Sequence, residues 1–311
     1  MKKKTILLLL SLCMIISTLS AAFAVENTAC IPLRSTFEEK GYTVSWFDET
    51  PDKAFVSIGD YQIAFQDGSN IITADEGEFT LSADTYMEDG VTYMPEDSMA
   101  LCDNLYLYHT AIIDASVAEE NELMPLKAID TTEDSVLVCT WNKYPETYVT
   151  GADITISYGD VWVFTAAEIF EWGQKNGMAE DMTLRMEQLI GLPPQDGNTH
   201  FSVLRVNPAD LYRPSRDNEI DDTQAELTFP EDATEEYKEW FESNAEYSYQ
   251  PHRYPWTGLG YTYDWADNGT EYGLSEFILK NGAEVTVEKT YTNEEFYQYI
   301  TQTLTDGENN Q

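Results

Sequence analysis

The sequence predicts an α+β protein: a small β-rich N-terminal module with two short helices, followed by a mixed α/β C-terminal domain. Three observations carry this. Short runs of alternating polarity crowd the first third of the chain. Strand-like runs alternate with capped helices in its second half. Between the two lies an acidic stretch without sustained periodicity, Asp114 to Ser135, which reads as a linker (residues 114–135).

The first element is an export signal. Met1-Lys2-Lys3-Lys4 is followed by the apolar stretch Ile6 to Ile16 and then by Ser20-Ala21-Ala22-Phe23-Ala24. This is the order of a charged, an apolar and a small-residue cleavage region, so residues 1–24 are expected to be removed after Ala24. The competing reading is an uncleaved anchor, because Thr5 to Ala24 is close to the ~20 residues a membrane span needs. Its Ser, Thr and Ala content favours cleavage. The expected location is therefore secreted, extracellular or at the cell surface. Nothing later in the sequence is long and apolar enough to span a bilayer.

Charge narrows the partners. The 311 residues carry 17 basic and 56 acidic side chains, a formal charge of −39. Removing the three signal lysines leaves 14 against 56, or −42. Nucleic acid needs its phosphates neutralised by Lys and Arg, and this chain has few to offer. An anionic membrane surface is disfavoured for the same reason. A cell-envelope polymer or a cationic surface is the natural counterpart.

In the module, residues 25–113, Tyr42 to Trp46, Ala54 to Ile58 and Tyr61 to Phe65 alternate as half-buried strands do. Gly59-Asp60 between the last two signals a tight hairpin. Ser35 to Lys40 predicts a short helix stopped by Gly41, and Glu96 to Asn104 a second one opened by Pro95. In the C-terminal domain, residues 136–303, Ser135 to Trp141 and Asp160 to Phe164 are strand-like. Thr165-Ala-Ala-Glu168 and Thr292-Asn-Glu-Glu295 are capping boxes that open helices. Further helices are expected from Asp181 or Thr183 and from Thr234 to Ala245, and residues 304–311 read as a frayed tail.

The module's residues resemble a known family. Ile31-Pro32-Leu33-Arg34, Phe37, Gly41, Val44 and Trp46-Phe-Asp48, with Asp89-Gly90-Val-Thr-Tyr-Met94-Pro95 further on, look like the copper amine oxidase-like N-terminal domain over about residues 28–105. The second Pro-Leu-Arg of that pattern is here Pro95-Glu96-Asp97. The resemblance implies a non-catalytic extracellular module of secreted bacterial proteins. It does not imply amine oxidation or copper, since the chain has no Asn-Tyr pair and no His-x-His among His109, His200 and His252.

Chemistry is sparse in the sequence. Hydrolase, P-loop, zincin and Cys-x-x-Cys motifs are absent. Cys139 lies in an apolar run and reads as buried rather than nucleophilic. Cys30 and Cys102 form a candidate disulfide within the module; buried thiols are the alternative. Arg213 and Arg216 stand beside Asp217, Glu219, Asp221 and Asp222, as a clamp for an anionic group or as a structural network. Asp264, Asp267, Asn268 and Glu271 could supply oxygens to an irregular calcium site, although the EF-hand spacing fails. No other cofactor is expected. Tyr261, Tyr263 and Trp265 alternate, giving either a stacking platform for sugars or peptides or a buried core face. His200, Arg213, Asp217, Trp256, Tyr261, Tyr263, Asp264 and Trp265 are the candidate cleft. The expectation is a non-catalytic protein that binds a cell-envelope polymer. The alternative is a hydrolase of envelope glycan or peptide acting through the C-terminal domain.

Overall fold

The computed structural model describes residues 29–250 and 253–302. The expected signal peptide, His252 and the tail lie outside the described residues. The chain is mixed α/β, with a curled N-terminal sheet and, among the described residues, six α-helices.

The N-terminal part runs β1 (Cys30–Pro32), α1 (Leu33–Glu39), β2 (Thr43–Phe47), β3 (Thr50–Ile58), β4 (Tyr61–Gln66), β5 (Ser69–Ala74), β6 (Gly77–Glu88) and β7 (Val91–Pro95). Its strands form one antiparallel sheet in the order β1-β7-β6-β5-β4-β3-β2. The three alternating sequence runs are β2, β3 and β4. On β4 the alternation sends Tyr61, Ile63 and Phe65 into the core while Gln62 faces out. Gly59 takes φ +58° in the hairpin that sets Ile58 opposite Tyr61. Helix α1 starts two residues earlier than expected, because Pro32 at its N-cap already has φ −64°. It buries Leu33 and Phe37.

Helix α2 (Ser98–Ala115) departs further from expectation. It continues eleven residues past Asn104. The apolar stripe does not stop there: Leu105, Tyr108, Ala111 and Ile112 follow at helical spacing, and all are buried. The module therefore has one short helix and one long one. Met99, Cys102 and Leu105 belong to its core, whereas Tyr108, Ala111 and Ile112 pack against Trp265 of the C-terminal part. The stretch expected to be a linker begins inside α2. It then contributes Leu126 and Ile129 to buried clusters, and their N–H groups donate to Thr223 O (3.0 Å) and Ile220 O (2.7 Å).

The C-terminal part runs β8 (Val136–Asn142), β9 (Asp153–Thr155), β10 (Val161–Thr165), α3 (Ala166–Asn176), α4 (Met182–Leu189), β11 (His200–Val206), β12 (Leu211–Tyr212), α5 (Glu235–Tyr249), β13 (Tyr261–Tyr263), β14 (Tyr272–Leu279), β15 (Glu284–Thr292) and α6 (Asn293–Thr301). Its sheet has the order β12-β14-β10-β8-β11-β15-β9, with β13 on β14. Cys139, Phe164 and Glu276 are register partners across three strands and so share one face. That face buries Trp141, Phe164 and Phe201 against Ile169, Met186, Phe296 and Ile300 of α3, α4 and α6. The opposite face buries Val138, Val163, Leu204 and Phe277, covered in part by Tyr148, Ile129 and Ile220.

Helices α3 and α6 meet at Gly173, where an added Cβ would lie 2.5 Å from the Ile300 carbonyl oxygen. Thr165, Asp181, Thr234 and Thr292 cap their helices through side-chain oxygens. The capping box at Thr292 is complete. The one at Thr165 is half formed, because the Glu168 carboxylate turns away to accept from the Ser275 N–H at 3.1 Å. Among the described residues no helix is long and apolar enough to cross a membrane.

Candidate functional site

A cavity of about 370 Å³ opens between the helix-bearing face of the C-terminal sheet, α5 and residues 253–263. Its walls are built locally. Helix α5 begins on the Thr234 cap with Glu235 and Glu236 in its first turn, where the helix dipole favours acids. After α5 the chain reverses, and Arg253 and Tyr254 both donate N–H bonds to Ser248 O. An isolated bridge pairs Trp256 with Thr262. The Thr257 hydroxyl donates to Tyr261 O at 2.6 Å and accepts from Leu259 N at 3.1 Å. Gly260 closes the turn at φ +83°, and a Cβ there would meet the Arg213 Cδ at 2.6 Å. The Thr262 hydroxyl joins Leu189 O to Leu274 N, which ties β13 to α4 and β14. The cavity wall is thus a hydrogen-bonded turn and not a loose loop.

The lining is aromatic. Trp141, Trp162, Phe164, Tyr254, Trp256, Tyr261 and Tyr263 all contribute. Trp256 is fixed edge-on to Trp162 (6.4 Å between centroids) and Trp240 (6.3 Å), and it packs on Phe241 (4.7 Å). Within this apolar wall three polar atoms lack a protein hydrogen-bond partner: Glu276 Oε1, Asn244 Nδ2 and Trp256 Nε1. Buried polar groups are normally satisfied, so three such atoms close to one cavity set it apart from the rest of the domain. Glu276 is only 6% exposed. Burial pushes its carboxyl up to about 8, and the Trp256 indole and the Arg213 charge offset only part of that. The indole is near enough to the carboxyl to act on it, yet it falls short of hydrogen-bond geometry. The cavity therefore holds a neutral carboxyl at pH 7.

Three of the sequence candidates, Trp256, Tyr261 and Tyr263, line this cavity. The even alternation of Tyr261, Tyr263 and Trp265 is broken by a register shift within β13. Tyr261 is buried, with its hydroxyl on Glu122 O (3.0 Å). Trp265 is buried against Tyr108 and donates its indole N–H to Leu192 O (2.9 Å). The remaining candidates lie elsewhere. His200 opens β11, its Nδ1 2.8 Å from the Thr199 hydroxyl. Arg213 is fully buried: it donates to Glu219 O and Lys127 O, both at 3.0 Å, and stacks on Phe277 at 4.7 Å. Asp217 accepts from Glu219 N at 3.1 Å within its own loop. Asp264 is held by both Arg185 nitrogens at 3.0 and 2.6 Å. Arg213, Asp217 and Asp264 thus do not form the shared cleft that a hydrolase would need.

Glu276 and Asn244 were not among the sequence candidates. A signal for the first exists: Tyr272–Leu279 is an almost wholly apolar strand, and Glu276 is the single acid within it. Asn244 sits among the polar residues of α5, and nothing in its neighbourhood distinguishes it.

A second, shallower hollow lies beside α2. Carboxylate oxygens of Asp114, Glu122 and Glu271 lie within 4.8 Å of one another, the one group of three metal-capable side chains found among the described residues. The Tyr263 hydroxyl donates to Asp114 Oδ2 at 2.8 Å. Burial, then the charges of Asp114 and Glu122, raise the Glu271 carboxyl. Of the residues proposed for calcium from sequence, Glu271 joins this group. Asp264 is neutralised by Arg185, Asn268 donates its amide to Asp264 (3.0 Å), and Asp267 is exposed.

Cys30 and Cys102 are not joined by a disulfide. Cys102 is wholly enclosed in the module core, while Cys30 lies on the edge strand β1. Burial raises the thiols of Cys102 and Cys139 far from the thiolate range, so neither is a nucleophile at neutral pH.

Comparison with known families agrees with the module's residues. Residues 16–101 match the family model of the copper amine oxidase N-terminal domain, and the match leaves out residues 102–311. No curated protein matches the chain.

Proposed function

We propose that the protein is a secreted, non-catalytic binding protein that captures a polymer of the cell envelope, one unit of which lodges in the aromatic cavity of the C-terminal domain. The observation that carries this reading is the cavity itself: an aromatic lining in which Trp162, Tyr254 and Tyr263 keep exposed ring area, with the polar groups of Glu276 and Asn244 in its wall. Stacking faces combined with a few fixed polar groups suit a polyhydroxylated ring. The export signal of residues 1–24 and the match of residues 16–101 to an accessory domain support an envelope setting. We read residues 25–113 as the attached module, with the long helix α2 as its connection to the binding domain.

A single carboxyl in the cavity favours binding over hydrolysis, because glycoside hydrolysis uses two carboxyl groups flanking one bond. The other strongly raised glutamates are engaged away from the cavity, Glu168 on Ser275 and Glu187 on the Asp196 N–H. The test is retention of the mature protein on purified cell-wall material, with an equally acidic protein as control. Retention that is lost in Trp256→Ala supports the reading. Retention no greater than that of the control refutes it.

A further inference from the structure

Resting on that reading of the cavity, we propose that the module regulates the site without touching the ligand: it holds one wall of the cavity in place, so that module docking and ligand binding strengthen each other. The cavity has two kinds of wall. Trp141, Trp162 and Phe164 stand on β8 and β10, inside the C-terminal sheet. Leu192, Tyr254, Trp256 and Tyr263 come from connecting segments and from the short β13. Each of these four is tied to the second half of α2. The Tyr108 hydroxyl donates to Arg253 O at 2.5 Å, next to Tyr254. The Tyr249 hydroxyl reaches both Trp256 O (2.5 Å) and the carbonyl of Ala115 (3.1 Å), the last residue of α2. Asp114 accepts from the Tyr263 hydroxyl. Trp265, packed edge-on to Tyr108, donates to Leu192 O.

A further tie comes from β6. This strand pairs with β5 over Gly77–Thr80 but meets β7 only at Tyr86–Glu88. Gln195 occupies the edge left open at Thr80. Its Oε1 accepts from Thr80 N and its Nε2 donates to Thr80 O, both at 2.8 Å, much as a peptide group of a neighbouring strand would. Gln195 itself has φ +60°, a left-handed conformation that costs free energy in a residue with a side chain and persists where surrounding contacts enforce it. Ile190, Leu192 and Asn198 of the same loop line the cavity. Gly191 (φ +69°) and Gly197 (φ +84°) bracket Gln195, and such positions absorb backbone rotation at a hinge. The strained residue of the loop is thus the one that grips the module. A ligand lodged between the two walls favours the docked arrangement over an open one, and by linkage the docked module favours the ligand to the same extent.

The experiment is amide hydrogen exchange of the full-length mature protein, read peptide by peptide, together with its affinity for purified cell-wall material. The variants are Gln195→Gly, which removes the clasp and suits the positive φ, Tyr108→Phe, which keeps the buried ring, and the two combined. Tyr148→Phe, on the opposite face of the sheet, controls for the loss of a tyrosine hydroxyl. In the double variant, exchange over residues 190–198 and 253–263 should quicken about tenfold while β8 and β10 keep their rates, and affinity should fall about tenfold, the scale set by one or two lost hydrogen bonds. Tyr148→Phe should change neither. Cell-wall material bound to the wild type should in return slow exchange of the Thr80 amide. Unchanged exchange in the two wall segments overturns the proposal. So do quickened exchange with unaltered affinity, and a Thr80 amide that does not respond to bound material. If the wild type is not retained at all, the polymer reading falls by itself, and the exchange rates of the double variant alone decide whether the module holds the wall.

Discussion

Replacing Glu276 by Gln removes one titrating group from the cavity wall while keeping its shape. In the native protein the carboxyl titrates near 8, against an ordinary 4.5. Below pH 4.5 it is protonated in both folded and unfolded chains, and its contribution to stability is fully present. As the pH rises, the unfolded chain releases the proton at about 4.5 and the folded chain holds it until about 8, so stability is lost across that window. One unit corresponds to about 1.4 kcal/mol, so the three units between pH 5 and pH 8 amount to about 4 kcal/mol. The group is almost wholly enclosed, which leaves little solvent screening to reduce this. The glutamine side chain of the variant does not titrate. Urea unfolding of wild type and Glu276→Gln at pH 5, 6.5, 8 and 9 should give a stability difference that shifts by about 4 kcal/mol in favour of the variant between pH 5 and pH 8, and then levels off. Tryptophan fluorescence reports the relevant domain, since six of the seven tryptophans follow residue 135. Parallel curves for the two proteins from pH 5 to pH 9 would refute the raised titration of this buried carboxyl.

Other expectations follow from single contacts. Arg185→Ala leaves Asp264, 3% exposed, without its bidentate partner, and should lower stability by about 3–5 kcal/mol in urea unfolding, while Arg185→Met with Asp264→Leu should cost less. Gly173→Ala forces a methyl group against the Ile300 carbonyl and should lower the melting temperature through about 1–3 kcal/mol of overpacking; an unchanged melting curve would mean that α3 and α6 are not in such close contact. Glu271→Gln removes one of three mutually repelling carboxyls and should raise the melting temperature at pH 8 in chelator-treated buffer. Calcium added to wild type is the direct test of a metal there: a rise that Glu271→Gln abolishes supports it, and an unchanged curve removes it.

The module's strands were readable because a half-exposed sheet writes its period of two into the sequence, as in Tyr61-Gln-Ile-Ala-Phe65. Helix starts were readable at Thr165, Asp181, Thr234 and Thr292 because their side chains do the capping locally. The length of α2 was missed because its second half is stabilised by Trp265, far along the chain, and not by anything near Asn104. The site divided in the same way. Trp256, Tyr261 and Tyr263 stood out by composition. Glu276 gained its meaning only when β14 was placed beside β10, with α5 across from it. Arg213 stood out in sequence as an anion clamp or part of a structural network, and Asp264 as an oxygen donor for calcium. In the structure Arg213 donates to the Lys127 carbonyl and Asp264 pairs with Arg185, and partners so far along the chain leave no trace in sequence.

Helix α2 has a consequence for how the two parts of the chain can be separated. At 1.5 Å per residue its 18 residues form a rod about 27 Å long, anchored at one end in the module core and at the other on Trp265. A fragment cut at the end of the module's family match, near residue 101, would sever this rod inside its first turn. Cutting after Ala115 would preserve the rod but uncover Tyr108, Ala111 and Ile112 to water. Neither boundary yields a clean half. A tug on the module would be transmitted along the rod to Trp265 and to Tyr263, which forms part of the cavity wall, so the module and that cavity are mechanically in series.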